Sequence, residues 1–91
     1  MLKVKVKNIR GNSGGEVKNQ FEITTSKGRF FQSYSSVIVF HCFKTGKTYL
    51  DKEYWDYSVT TGKYRNIFLR EKRKDTERKI KSGEYILKNL N

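Results

Sequence analysis

Two short turn segments with a similar sequence pattern constrain the fold of this chain more than any other feature. Ser26-Lys27-Gly28 and Lys44-Thr45-Gly46 each separate stretches that are rich in β-branched and aromatic residues. We expect each to close a hairpin, with Gly28 supplying the positive φ of a three-residue loop. Strands over residues 20–25, 29–34, 37–43 and 47–51 would then form a four-stranded meander, with Phe21 and Ile23 facing inward. The run 37–43 is apolar at nearly every position, which predicts a central, buried strand.

Flanking segments extend this meander at both ends. Leu2, Val4 and Val6 alternate with Lys3, Lys5 and Lys7, which predicts a strand with a basic outer face. After residue 51 the spacing becomes helical, and one or two short helices are expected. Thr60 or Thr61 would cap the first helix, Asp75 would cap the second, and Gly83 would follow its C-terminus. A last strand is expected over 84–90, so the chain is predicted to be one α+β domain over 1–91 with a small antiparallel sheet.

The charge of the chain is the strongest indication of function. Twenty Lys and Arg stand against nine Asp and Glu, for a net charge of +11 and a pI near 9.9. A solvated helix face or lysine-rich codon usage would account for many cations, but not for so few acidic residues. Because uncompensated like charge destabilises a compact chain, the excess indicates an acidic partner, of which nucleic acid is the commonest.

The cations are densest in residues 1–18 and 66–82, which flank an aromatic-rich middle. We therefore predict that phosphates are contacted from both segments and from the predicted helix start. A phosphate site is also predicted at that helix start, formed by Thr60, Thr61 and Lys63 with the free N–H groups of the first turn. The predicted contact residues are Lys3, Lys5, Lys7, Lys63, Arg65, Arg70, Lys72, Arg73, Lys74, Arg78 and Lys79.

The aromatic segment before this helix allows two interpretations. Trp55, with Tyr54 or Tyr57, could plug the core between sheet and helix. Alternatively, exposed rings in this segment could stack on bases. The sequence leaves both interpretations open.

The sequence gives little support for a catalytic or a metal-binding role. His41 is the only histidine and Cys42 the only cysteine, and both fall inside the apolar run, where we expect buried structural roles. Thr45-Gly46-Lys47-Thr48 resembles the end of a phosphate-binding loop, but the first glycine of that motif and the helix after it are missing. We expect no enzymatic activity, no cofactor and no metal. No apolar run is long enough to cross a membrane, and the chain is expected to be cytoplasmic.

Several short strings resemble a family of short proteins from phages and related mobile elements, a domain of unknown function. The resemblance spans roughly residues 20–91, and its most specific part runs from Trp55 to Leu69. It implies a phage origin and no catalytic residue. The strings that carry it are Phe31-Gln32-Ser33-Tyr34, Leu50-Asp51, Trp55-Asp56-Tyr57-Ser58, Thr60-Thr61-Gly62-Lys63-Tyr64, Phe68-Leu69, Gly83-Glu84-Tyr85 and Leu90-Asn91.

These observations lead to two hypotheses. The first is a small non-enzymatic accessory protein that binds DNA or RNA with little sequence preference. The second is an inhibitor or modulator that uses its basic surface on a host protein, such as a polymerase or a defence nuclease of the CRISPR type.

Overall fold

The computed structural model describes residues 3–91 and has the predicted α+β architecture. Leu2, which the alternation placed on the apolar face of the first strand, lies outside the described residues. The elements are β1 (Lys5–Arg10), β2 (Glu16–Thr24), β3 (Gly28–Ser33), β4 (Ser36–Cys42), β5 (Thr48–Asp51), α1 (Val59–Leu69), α2 (Arg73–Ser82) and β6 (Tyr85–Lys88).

The six strands form one sheet in chain order, from β1 at one edge to β6 at the other. The first five strands pair antiparallel through hairpins, which confirms the predicted meander. The last strand pairs parallel to β5, whereas an antiparallel strand was expected. The physical reason is the connection: α1 and α2 carry the chain back along the sheet, and such a crossover returns a strand in the same direction.

The two hairpin turns use their glycines differently. Gly46 adopts a φ of +71°, the left-handed conformation that a tight turn requires. Gly28 does not have the predicted positive φ and is instead the first residue of β3. A Cβ there would lie 2.1 Å from the carbonyl oxygen of His41, so this glycine permits close approach of the neighbouring strand.

The N-caps of both helices lie two or three residues before the expected ones. Ser58 caps α1 by accepting a hydrogen bond from the Thr61 N–H at 3.1 Å, so neither Thr60 nor Thr61 is the cap. Lys72 is the N-cap residue of α2, and Asp75 lies at the third helical position. From there its carboxylate accepts a hydrogen bond from the Lys72 N–H, which gives half of a capping box. The predicted stop is confirmed, because Gly83 ends α2 with a φ of +84°.

The core lies between the helices and one face of the sheet. Phe31 on β3 stacks on Phe68 of α1 with ring centroids 5.8 Å apart, and Ser33 hydrogen-bonds Thr61 across the same interface. The buried apolar residues are Ile9, Phe31, Ile38, Val39, Leu50, Phe68 and Tyr85.

The apolar residues of β2 lie on the other face of the sheet. Phe21 and Ile23 alternate with Gln20 and Glu22, and Glu22 pairs with the helix-facing Phe31. Phe21 and Ile23 are therefore half-buried on the face away from the helices, and the predicted inward orientation is wrong. Alternation alone assigns residues to two faces but cannot identify the face that the helices cover.

Candidate nucleic-acid interface

The predicted cations of α2 are largely neutralised within the protein. Arg73 donates to both Asp56 and Glu77, with Arg73–Asp56 atoms 2.6 Å apart. Arg78 pairs with Asp75, and Lys79 lies 2.7 Å from Glu71. The ion pair with Asp56 raises the pKa of Arg73, and that with Glu71 raises the pKa of Lys79. The densest basic segment of the sequence therefore offers less free charge than its composition suggested.

Arg65, another predicted contact residue, is fully buried. Its side chain is 0% exposed, and its guanidinium donates to the Trp55 carbonyl and to the Asp56 and Asn66 side chains. A guanidinium enclosed in this way cannot reach a phosphate, so we assign Arg65 to the fold. Hydrogen bonds from Arg73 and Arg65 outweigh burial and lower the pKa of Asp56.

Trp55 lies beside this ion pair cluster and contributes to the core. It is half-buried and packs against the core cluster, as the first of the two interpretations expected. The guanidinium carbons of Arg65 and Arg73 lie 5.3 and 5.7 Å from its ring. Tyr57 is exposed, and its ring meets that of Tyr54 edge-on.

The predicted phosphate site at the start of α1 is only partly available. Thr61 is fully buried and its hydroxyl hydrogen-bonds Ser33, while its N–H is taken by Ser58. Thr60 and Lys63 are exposed, and the Lys63 ammonium lies 5.5 Å from the ring of Tyr64.

Exposed cations without an ion pair in residues 3–91 lie mainly elsewhere. At the end of the sheet where β1 begins, the two hairpin turns lie side by side, because the Phe43 N–H donates to the Lys27 carbonyl at 3.0 Å. Phe43 is 50% exposed between the lysines of these turns. We call Lys5, Lys27, Lys44 and Lys47 the turn-end lysines. Of the predicted contact residues, Lys3, Lys63, Arg70, Lys72 and Lys74 are likewise exposed and without an ion pair in the described chain.

A basic groove runs between β1 and the C-terminal end of α1. Its volume is about 310 Å³, and Ile9, Ile67 and Phe68 contribute apolar surface to it. Its cations are Lys7, Arg10, Arg29 and Arg70, and Glu22 is the only carboxylate that residues 3–91 contribute to it.

Glu22 holds two of these cations in place. Its carboxylate pairs with Arg29 and with Lys7, the latter at 3.2 Å. Burial raises the pKa of Glu22, but the hydrogen bonds from Arg29 and Lys7 outweigh it and lower the pKa overall. One carboxylate against four cations leaves the groove positive.

A second surface, which is largely apolar, lies on the sheet face away from the helices. Six residues from six strands align in register there, and the Phe30 and Phe40 rings stack with centroids 4.5 Å apart. Lys88 shares this side, with its ammonium 5.5 Å from the ring of Tyr49, and so does its cross-strand partner Asp51, which is buried. We call the aligned residues the apolar row; they are Val6, Ile23, Phe30, Phe40, Tyr49 and Ile86.

No three His, Cys, Asp or Glu side chains within residues 3–91 converge as metal ligands. His41 is half-buried rather than buried, and its Nδ1 lies 2.9 Å from the Thr48 hydroxyl. Cys42 is also half-buried, and a hydrogen bond from Thr45 lowers the pKa of its thiol. None of the described helices is both long enough and apolar enough to span a lipid bilayer.

Sequence reasoning missed both Arg29 and the apolar row. Arg29 lies outside the two segments in which cations are densest along the sequence. Only the fold brings it beside Lys7, Arg10 and Arg70. The row had a detectable signal: Phe30, Phe40 and Tyr49 alternate with the buried Phe31, Val39 and Leu50, so apolar residues occupy both faces.

Together, the fold and surface define a small basic α+β protein with two helices on one face of a six-stranded sheet. The chain belongs to the family of unknown function DUF8033, whose model matches residues 4–84. This match includes most of the lysine-rich first strand, which lay outside the resemblance seen in the sequence. No curated protein and no solved structure matches the chain.

Proposed function

We propose that this protein binds nucleic acid, without catalysis and with little sequence preference. The observation that carries the proposal is a difference in ion pairing between the arginines and the lysines. Four of six arginines are held in ion pairs, whereas the exposed cations without one in residues 3–91 are mostly lysines. A lysine ammonium is a flexible point charge that suits phosphate oxygens of any sequence, whereas base readout favours the planar fork of arginine.

The positions of the free lysines support this proposal. The turn-end lysines stand along one end of the sheet, and the basic groove lies on the helix side of β1. Lys5 and Lys7 belong to the same strand and connect the two regions. A polyanionic chain could therefore follow a continuous line of cations. The resemblance to short phage proteins supports a role as an accessory protein of a phage or mobile element, acting in the host cytoplasm.

A salt titration tests this proposal. Labelled duplex DNA, single-stranded DNA and RNA should each bind with micromolar affinity or better at low salt. If about six phosphates are engaged, the logarithm of the binding constant should fall with the logarithm of salt with a slope of roughly −5 on duplex and −4 on single strands. Absence of micromolar binding at low salt for all three would refute it.

The apolar row favours a second candidate, a host protein as partner. A largely apolar sheet face bordered by lysines matches a protein surface with an apolar centre and an acidic rim, and complementary charge would set the association rate. Under this alternative, a pull-down from nuclease-treated host lysate should retain one stoichiometric protein. Many unrelated proteins that disappear with nuclease would instead support nucleic-acid binding.

A further inference from the structure

We infer that the basic groove between β1 and α1 receives one nucleotide of a single strand, with its base stacked on Arg29. This inference rests on the proposed nucleic-acid binding and names the class of ligand that the groove itself accepts: single-stranded rather than duplex nucleic acid. The fixed orientation of Arg29, the cations around it and the size of the groove support it.

Arg29 packs on Phe68, which is itself stacked on the core residue Phe31. The Phe31 and Phe68 rings are inclined by 25°, and the guanidinium carbon of Arg29 lies 4.7 Å from the Phe68 centroid. Glu22 fixes the guanidinium through an ion pair. The Arg29 side chain is 38% exposed and lines the groove, so its outer side is open to a ligand. A guanidinium plane is a stacking surface for an unpaired base.

Phosphates adjoining such a base would meet the remaining cations. Lys7 is 74% exposed, and Arg70 is exposed with no ion pair in residues 3–91. Arg10 donates one hydrogen bond to the Gly14 carbonyl, at 2.8 Å, and its other N–H groups can donate to a phosphate. The C-terminal end of α1 contributes only about half a negative charge here, which three full cations outweigh.

The size of the groove selects for an unpaired strand. A volume of about 310 Å³ lies at the small end of ligand pockets and cannot enclose a duplex. A base that enters it must leave its stack and its partner, which costs little only in a single strand. The apolar surface of the half-buried Ile67 in the same groove replaces part of the stacking that the base gives up.

The test uses Arg29→Lys, which keeps the charge and the pairing with Glu22 but removes the planar guanidinium. The probes are a labelled oligothymidine of about twelve nucleotides, a matched strand of abasic sites and a duplex. Arg29→Lys should bind oligothymidine about tenfold more weakly while binding the abasic strand as the wild type does. The matched control is Arg78→Lys on α2, which should bind all three probes like the wild type.

Arg70→Gly gives a second, independent measurement. Arg70 has a φ of 57°, which glycine adopts without strain, so this variant should fold. Loss of one phosphate contact should reduce the magnitude of the salt slope by about 1. An unchanged slope, together with unchanged oligothymidine binding by Arg29→Lys, would overturn the inference while leaving nucleic-acid binding intact. If the wild type binds none of the probes, the proposed function itself has failed.

Discussion

At the scale of single residues, arginine and lysine have different tasks in this protein. Arg65 is the clearest case, since its guanidinium joins the Trp55 carbonyl, Asp56 and Asn66 inside the molecule. The segment from Trp55 to Arg65 is thereby tied to itself and, through Asp56, to Arg73 at the start of α2. Spacing along the sequence could not reveal this, because a basic residue is recognised as buried only when its acceptors are known.

Arg65→Ala should therefore damage stability rather than binding. Removal of one member of a buried ion pair costs about 3–5 kcal/mol, because the remaining acceptors lose their donor. For a domain of this length, the melting temperature should fall by at least about 10 °C. Arg78→Ala, which breaks an exposed pair with Asp75, should change it by less than about 3 °C. A melting temperature in Arg65→Ala equal to that of the wild type would contradict the structural assignment.

At the scale of elements, a buried carboxylate fastens α2 to β6. Glu71, just before α2, accepts hydrogen bonds from Thr76, Lys79 and Tyr85, the last at 2.8 Å. Burial opposes ionisation, yet these bonds lower the pKa of Glu71. Burial and the bond to Glu71 raise the pKa of Tyr85 to about 12. The parallel strand β6 is thus held by polar contacts as well as by its pairing with β5.

This contact predicts a loss of stability at high pH. The folded state keeps Tyr85 protonated to about pH 12, whereas an unfolded tyrosine ionises near pH 10. The stabilisation is therefore complete below pH 10 and is lost as the pH rises towards 12. Chemical denaturation at pH 8 and pH 11 should show a smaller decline for Tyr85→Phe than for the wild type. Tyr34→Phe, which alters an exposed tyrosine, should decline as the wild type does. Equal declines in all three proteins would show that Tyr85 is not responsible.

The hairpins were predictable at this scale, and the helix starts and last strand were less so. Turn residues such as Gly46 act locally, so two three-residue patterns were enough to place four strands. Ser58 competed with Thr60 and Thr61 as a cap, and three hydroxyl residues within four positions cannot be ranked without the fold. The direction of β6 depends on how two helices pack, which no local pattern encodes.

At the scale of the whole molecule, ion pairing decides which cations are free to bind a partner. The density of cations along the sequence does not decide this. Residues 66–82 looked most basic, but Arg73, Arg78, Lys79 and Lys81 all have carboxylate partners. The turn-end lysines are scattered along the sequence, and the hairpins bring them together at one end of the sheet. The total charge of +11 could be counted from the sequence, but the surface that presents it required the sheet.

Two double variants that remove equal charge from different places test whether ion pairing decides which cations bind. Lys44→Gln with Lys47→Gln removes two turn-end lysines, and Arg78→Gln with Lys81→Gln removes two paired cations of α2. The first pair should weaken binding to single-stranded DNA and reduce the magnitude of the salt slope by about 1.4, since each phosphate contact contributes about 0.7 to the slope on a single strand. The second pair should leave the slope unchanged, because its cations already face Asp75 and Glu77 and distant charge is screened within about 10 Å at 0.1 M salt. Both variants should keep the wild-type melting temperature, since exposed charges contribute little to folding. Equal losses of affinity in the two variants would mean that binding follows net charge alone and that the sheet presents no particular surface to the nucleic acid.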